Sequence, residues 1–182
     1  MSKLTPAQFK KLKELLSTAK QSTAEEFEEL NRATDGVYGK YFNQNMEHDS
    51  SEGGADKHVT STKITSYSLK NTELKNFVSE IFNQDPNSIN TIHTSDYKTG
   101  DSVAPHYDVS TFTVVIITED KFKGGEFYLK EEYQPQFKSN GDYITYHGKT
   151  SLHEVREVTE GIRQTLTFWF NVKEKPLFRK IL

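Results

Sequence analysis

The chain has 182 residues, a net charge of −3 and no cysteine. That length suits one domain with a core of its own. The missing cysteines exclude disulfides, zinc–thiolate centres and a cysteine nucleophile, and the acidic balance over a mixed Lys/Glu surface argues against an obligate nucleic-acid partner.

Met1-Ser2-Lys3-Leu4-Thr5-Pro6 lacks the apolar run of a signal peptide. The longest apolar run, Val114 to Ile117, falls far short of a membrane span. The expectation is a cytoplasmic protein without a membrane partner. Thr5-Pro6-Ala7-Gln8 reads as an N-cap, a Pro at the first helical position and a Gln that closes a capping box. Phe9, Leu12, Leu15, Leu16 and Ala19 then share one helical face. A second helical piece covers Thr23 to Leu30. Residues 43–57 are polar, aperiodic and contain Gly53-Gly54, which predicts a long loop, either a lid or a disordered segment. Leu74, Phe77, Val78, Ile81 and Phe82 predict a third helix with Asn71 or Thr72 as cap, ended by Asp85-Pro86-Asn87.

From Ser88 the period changes to that of strands. Ile89 to Tyr97 ends at Gly100, and Phe112 to Thr118 is an apolar, β-branched run. Lys123-Gly124-Gly125 turns into Glu126–Leu129. Asn140-Gly141-Asp142 turns into Tyr143–Tyr146, ended by Gly148. His153 to Val158 alternates, and Gly161 precedes a strand from Arg163 to Val172. Short strands with Gly/Asn turns at near-regular spacing predict a sandwich or barrel. The expected fold is mainly β with flanking α: a double-stranded β-helix (jelly roll, cupin-like) with N-terminal helices packed on one sheet. Residues 1–182 form one domain on this reading, with 1–87 as helical support and loop and 88–175 as the jelly-roll core.

His106-Tyr107-Asp108 carries the chemistry. Residues i and i+2 of a strand share a face, so His106 and Asp108 can meet one metal, and Pro105 suits the start of that strand. A third ligand must come from a distant strand. His153 is the candidate and His147 the alternative. Two imidazoles and a carboxylate suit non-haem Fe(II) with open positions, although manganese and zinc accept the same donors. Arg163 shares strand parity with Thr165, Thr167 and Trp169, opposite Leu166, Phe168 and Phe170. Either the Thr-lined face is a polar interior, where a guanidinium needs a carboxylate partner, or Arg163 faces solvent. His48 and His58 fall in the polar loop. His93 could face the site or be a structural histidine, and Arg156 could line a substrate entrance or the surface. Gly124-Gly125 is a turn and not a phosphate loop, because no helix follows it.

The ordered set His106-x-Asp108, His153, Arg163 resembles the Fe(II)- and 2-oxoglutarate-dependent oxygenases. Tyr97-Lys98-Thr99-Gly100, Gly124-Gly125-Glu126-Phe127, Gly141-Asp142 and His153-Glu154-Val155 through Gly161-Ile162-Arg163 resemble their prolyl and lysyl hydroxylase branch, and His106 to Thr113 is similar to the procollagen lysyl hydroxylase catalytic domain. The resemblance spans roughly Ile89 to Val172. It implies Fe(II) held by His106, Asp108 and His153. It further implies 2-oxoglutarate gripped at its distal carboxylate by Arg163, with Thr165 and Tyr97 as further contacts, dioxygen as oxidant and ascorbate as a candidate reductant. The implied reaction hydroxylates a prolyl- or lysyl-type side chain of a protein or peptide and releases succinate and CO2. A free amino acid or other small metabolite is the competing substrate. A non-catalytic metal-binding sensor domain is the reading from another class. Unlike the secretory lysyl hydroxylases, this chain has no cysteine, which argues against collagen as substrate.

Overall fold

Two antiparallel sheets face each other in the computed structural model, which describes residues 2–34, 46–48 and 62–172. The described helices are α1 (Pro6–Ser17), α2 (Ala24–Ala33) and α3 (Thr72–Ile81), followed by a 3-10 turn at Pro86–Ser88. The strands are β1 (Met46–His48), β2 (Thr62–Tyr67), β3 (Ile89–Lys98), β4 (Val103–His106), β5 (Phe112–Glu119), β6 (Phe122–Gly124), β7 (Phe127–Leu129), β8 (Glu132–Tyr133), β9 (Tyr143–Tyr146), β10 (His153–Val155) and β11 (Val158–Phe170).

Local chemistry sets the helix starts. The Thr5 hydroxyl accepts from the Gln8 N–H at 3.1 Å, and Gln8 Oε1 accepts from the Thr5 N–H at 2.9 Å, the capping box expected there. Thr23 and Glu26 form a second box at α2. Asn71 precedes α3 but does not cap it with its side chain. Its amide instead accepts from the Lys20 N–H and donates to the Lys20 carbonyl, tying α3 to the α1–α2 connection.

The larger sheet runs β1-β2-β3-β11-β5-β9, and the smaller runs β4-β10-β7-β8. The eight strands β3, β4, β5, β7, β8, β9, β10 and β11 are divided between the sheets in the order of a jelly roll, alternating except where β7 and β8 pair in the smaller sheet. β11 divides the interior by strand parity. Leu166, Phe168 and Phe170 are fully buried against Leu12 of α1 and Leu74 and Val78 of α3, which places these two helices on one sheet as expected, while Leu30 and Phe27 of α2 pack with Trp169 and Val172. Arg163, Thr165, Thr167 and Trp169 point to the opposite side and are also buried. There Val115 and Ile117 of β5 pack with Val103 of β4, Phe127 of β7 and Val155 of β10, which joins the two sheets.

Four expectations need correction. Met46–His48 pairs with Ile64, Lys63 and Thr62, so part of the expected 43–57 loop is strand, His48 included. The rest of that stretch and His58 lie outside the described residues. Pro105 lies inside β4, not at its start, and β4 ends at His106, so Asp108 sits just beyond the strand. β10 stops at Val155. β11 begins at Val158 and contains Gly161, because β6 supplies a separate partner for Val158 to Gly161. Among the described residues no helix is long and apolar enough to cross a membrane.

Candidate metal centre

β4 and β10 are neighbours, and their register puts His153 opposite His106. The two rings lie 4.2 Å apart between centroids. Asp108 straddles them, with Oδ1 3.6 Å from His106 Nε2 and Oδ2 3.2 Å from His153 Nε2. One donor atom from each of the three lies within 4.8 Å of the other two. Donors about 2.1 Å from a metal and at right angles are about 3 Å apart, so these short separations fit one ion.

The far side of each ring fixes which nitrogen is offered. His106 Nδ1 lies 2.8 Å from the Ala104 carbonyl and His153 Nδ1 lies 2.9 Å from the Ser151 carbonyl. A carbonyl only accepts, so Nδ1 carries a proton in both rings, which leaves Nε2, on the Asp108 side, as the nitrogen available to a metal. Burial pushes the Asp108 carboxyl up, but His153, then His106 and His93, outweigh it and hold it below its usual value. Burial pulls His153 down, and Asp108 more than reverses this. The alternative ligand His147 is exposed and outside the cluster.

Asp108 is anchored through its backbone, whose N–H donates to the Gly148 carbonyl at 2.9 Å. A Cβ on Gly148 would come within 2.8 Å of the Asp108 Cβ and 2.6 Å of Ser110 Oγ. Only glycine permits this approach. Gly148→Ala is therefore expected to displace Asp108 and weaken Mn(II) binding about 10–100-fold, the usual cost of disturbing a ligand's support. Calorimetric titration of a variant that still folds checks this; unaltered affinity would contradict it.

Arg163 is 1% exposed and shares the neighbours Tyr97 and Tyr146 with Asp108. Its guanidinium carbon stands 5.4 Å from the Tyr97 ring, 5.5 Å from Phe137 and 5.9 Å from Phe122. Its Nε and Nη2 are sealed from solvent and have no hydrogen-bond partner among the described residues. A buried charge left this way is costly, and a ligand carboxylate is the group that would satisfy it. The surface alternative for Arg163 is thus excluded. Tyr97 lies directly across from Arg163 on β3, and Thr165 is buried two residues further along β11.

Sequence reading missed Tyr146. It is 8% exposed, its ring lies 4.6 Å from that of His153, and Asp108 is among its charged neighbours. Burial raises its phenol well above the usual value, with Asp108 and Tyr97 adding to this and Arg163 opposing, so it stays a neutral donor. Parity within Tyr143–Tyr146 puts Ile144 and Tyr146 on one face, but nothing local says which face is interior. His93 is 4% exposed and meets Trp169 edge-on at 5.4 Å. It faces the interior. Arg156 is at the surface, paired with Glu154 at 2.9 Å and 4.4 Å over the Tyr128 ring, and it borders a cavity of about 220 Å3 that also touches His153.

Burial pushes the His93 pKa down to about 4, with Asp108 opposing. The unfolded chain titrates this group near 6.5. Between those values the unfolded state binds the proton and the folded state does not. Stability present above about pH 6.5 is therefore lost as pH falls towards 4, by about 3 kcal/mol from this group. His153, with its raised pKa, has the opposite sign, so the comparison must be between variants. Urea denaturation at pH 7.5 and 4 is expected to show a smaller acid loss in His93→Phe than in wild type. Equal losses would contradict the assignment.

The chain is 39% identical over 72 residues to a PKHD-type hydroxylase of Delftia acidovorans, covering 38% of this chain and 31% of that protein. It is 39% identical over 59 residues to a PKHD-type hydroxylase of Pseudomonas putida, covering 31% and 26%. The chain resembles the Fe(II)- and 2-oxoglutarate-dependent oxygenase superfamily. The matches span only about a quarter to a third of these relatives' own lengths, and no family model matches the chain. A prolyl hydroxylase from Trichoplax adhaerens, solved with a hypoxia-inducible-factor peptide fragment, has the same fold. The superposition covers 92% of this chain and 93% of that one, with a TM-score of 0.51 and 13% identity. The oxygenase resemblance rests on the curated relatives, and the jelly-roll fold rests on strand order.

Proposed function

We propose that this chain is an Fe(II)- and 2-oxoglutarate-dependent hydroxylase acting on a prolyl- or lysyl-type side chain of a protein or peptide. One observation carries the reading: a sealed guanidinium with two nitrogens unpartnered among the described residues, sharing Tyr97 and Tyr146 as neighbours with the Asp108 of a His-Asp-His cluster. A metal-binding sensor domain has no need of that unpaired cation.

His106, Asp108 and His153 would hold Fe(II) through two Nε2 atoms and a carboxylate, and bound iron supplies the activation of dioxygen. Arg163 would take the distal carboxylate of 2-oxoglutarate, with Tyr97 and Thr165 beside it. Tyr146 would stand beside Asp108 as a neutral phenol. The aromatic surround of Arg163 excludes water, which strengthens that charge pair. The overall reaction balances as substrate C–H, dioxygen and 2-oxoglutarate giving substrate C–OH, succinate and CO2. Tyr107, between two of the proposed ligands, is 57% exposed and offers a ring to a substrate chain. On this reading residues 88–175 are the catalytic core, 1–87 support it, and the protein works in the cytoplasm.

The test is succinate release by anaerobically purified protein given Fe(II), 2-oxoglutarate and oxygen, with proline- and lysine-containing peptides or the free amino acids. Peptide-stimulated succinate is expected. Stimulation by free amino acids alone would replace the substrate class and keep the reaction. Metal-loaded protein that neither binds nor consumes 2-oxoglutarate would overturn both.

A further inference from the structure

We infer that Phe137 sets the length of the dicarboxylate this site accepts, an inference resting on the cosubstrate reading above. Phe137 sits between β8 and β9. It is 6% exposed, and its ring is 5.5 Å from the Arg163 guanidinium carbon. It is held from behind by an edge-on contact with Phe127 at 5.3 Å.

Beyond Phe137 the protein is not solid. A cavity of about 390 Å3 is walled by Phe122, Gly125 and Phe137, among others. All three also lie against Arg163, whose remaining ring neighbour, Tyr97, does not border this cavity. The Phe122 ring lies 5.9 Å from its guanidinium carbon, and a Cβ on Gly125 would sit 3.0 Å from its Cδ. A second cavity, of about 400 Å3, borders Phe137 together with Tyr143 and Ile144. Phe137 therefore stands beside the sealed cation and borders both outer cavities, sharing the first with Phe122 and Gly125. Gly125 has no side chain to withdraw, and Phe122 belongs to β6, which is paired to β11. Phe137 lies on a connection, so it is the wall whose size changes with least disturbance to the sheets.

The consequence is chemical. With Phe137 present, the carboxylate bound by Arg163 has no room behind it, and a 2-oxo diacid longer by one methylene would have to compress between the metal and the cation. With a smaller side chain, Arg163 gains access to the outer cavity. The longer acid then fits, and 2-oxoglutarate loses part of its dry contact. One methylene in a closed pocket is worth roughly tenfold or more in discrimination.

The experiment titrates 2-oxoglutarate and 2-oxoadipate into Mn(II)-loaded protein without oxygen, for wild type, Phe137→Leu and Phe137→Ala. Wild type is expected to prefer 2-oxoglutarate by about tenfold or more, and the preference to narrow in Phe137→Leu and further in Phe137→Ala. The ratio is the readout because a general loosening of the core weakens both acids alike. Thermal melts establish folding, and Phe137→Leu, a milder change in volume, decides the matter if the alanine variant unfolds. A wild type that takes both acids equally, or a ratio unmoved in a folded variant, would overturn the role of Phe137 alone. A wild type that binds neither acid would overturn the cosubstrate reading and this inference with it.

Discussion

Arg163→Met is expected to weaken 2-oxoglutarate binding severely while making the ligand-free protein more stable. The side chain is 1% exposed, two of its nitrogens have no partner among the described residues, and none of the described ion pairs includes it. Its charge has three aromatic rings beside it but no anion among the described residues until a carboxylate arrives. Methionine keeps much of the length and bulk and removes the desolvated cation. The gain in stability should be about 1–3 kcal/mol, the cost of buried polar groups left unsatisfied. Binding should weaken by about 2–5 kcal/mol, the usual loss when one member of a buried charged pair is removed. Urea denaturation of apo-protein measures the first effect and calorimetry the second. A destabilised variant with normal affinity would show that Arg163 is structural.

Asp108→Ala should remove the metal. Asp108 is the one carboxylate in the cluster and the group that lies against both imidazoles. Its backbone bond to Gly148 survives the substitution, so the loop has reason to keep its path. Two imidazoles alone make a poor site for a hard divalent ion. Mn(II) affinity is expected to fall by more than about 100-fold, beyond the 10–100-fold cost of disturbing an outer partner such as Gly148. Turnover should be lost with it. Wild-type metal affinity in this variant would remove Asp108 from the ligand set.

Local signals in the sequence were legible and long-range ones only partly so. Thr5-Pro6-Ala7-Gln8 is a capping box because its bonds span three residues, and the structure forms it. The parity of Arg163, Thr165 and Thr167 against Leu166, Phe168 and Phe170 needs nothing beyond the pleat, and burial follows it. The grouping of His106, Asp108 and His153 was legible from order and residue type. Its local basis differs from the expectation, since Asp108 lies past the end of β4 and is held by Gly148. What could not be read depends on register between strands distant in sequence. Tyr146 meets His153 and Asp108 only because β9 closes the larger sheet beside β5. Phe137 reaches Arg163 from a connection with no periodicity to betray it. Gly161 looks like a break in the chain, yet it is accommodated inside β11 because β6 pairs there.

The measurement that tests the central claim most directly is calorimetric binding of 2-oxoglutarate under argon, with and without Fe(II), to wild type, Asp108→Ala and Arg163→Met. The expected result is saturable binding that requires the metal and is lost or severely weakened in both variants, because the acid must bridge the cluster and the buried cation. Binding that is indifferent to metal, or that survives either substitution unchanged, would contradict the joining of these two features into one site.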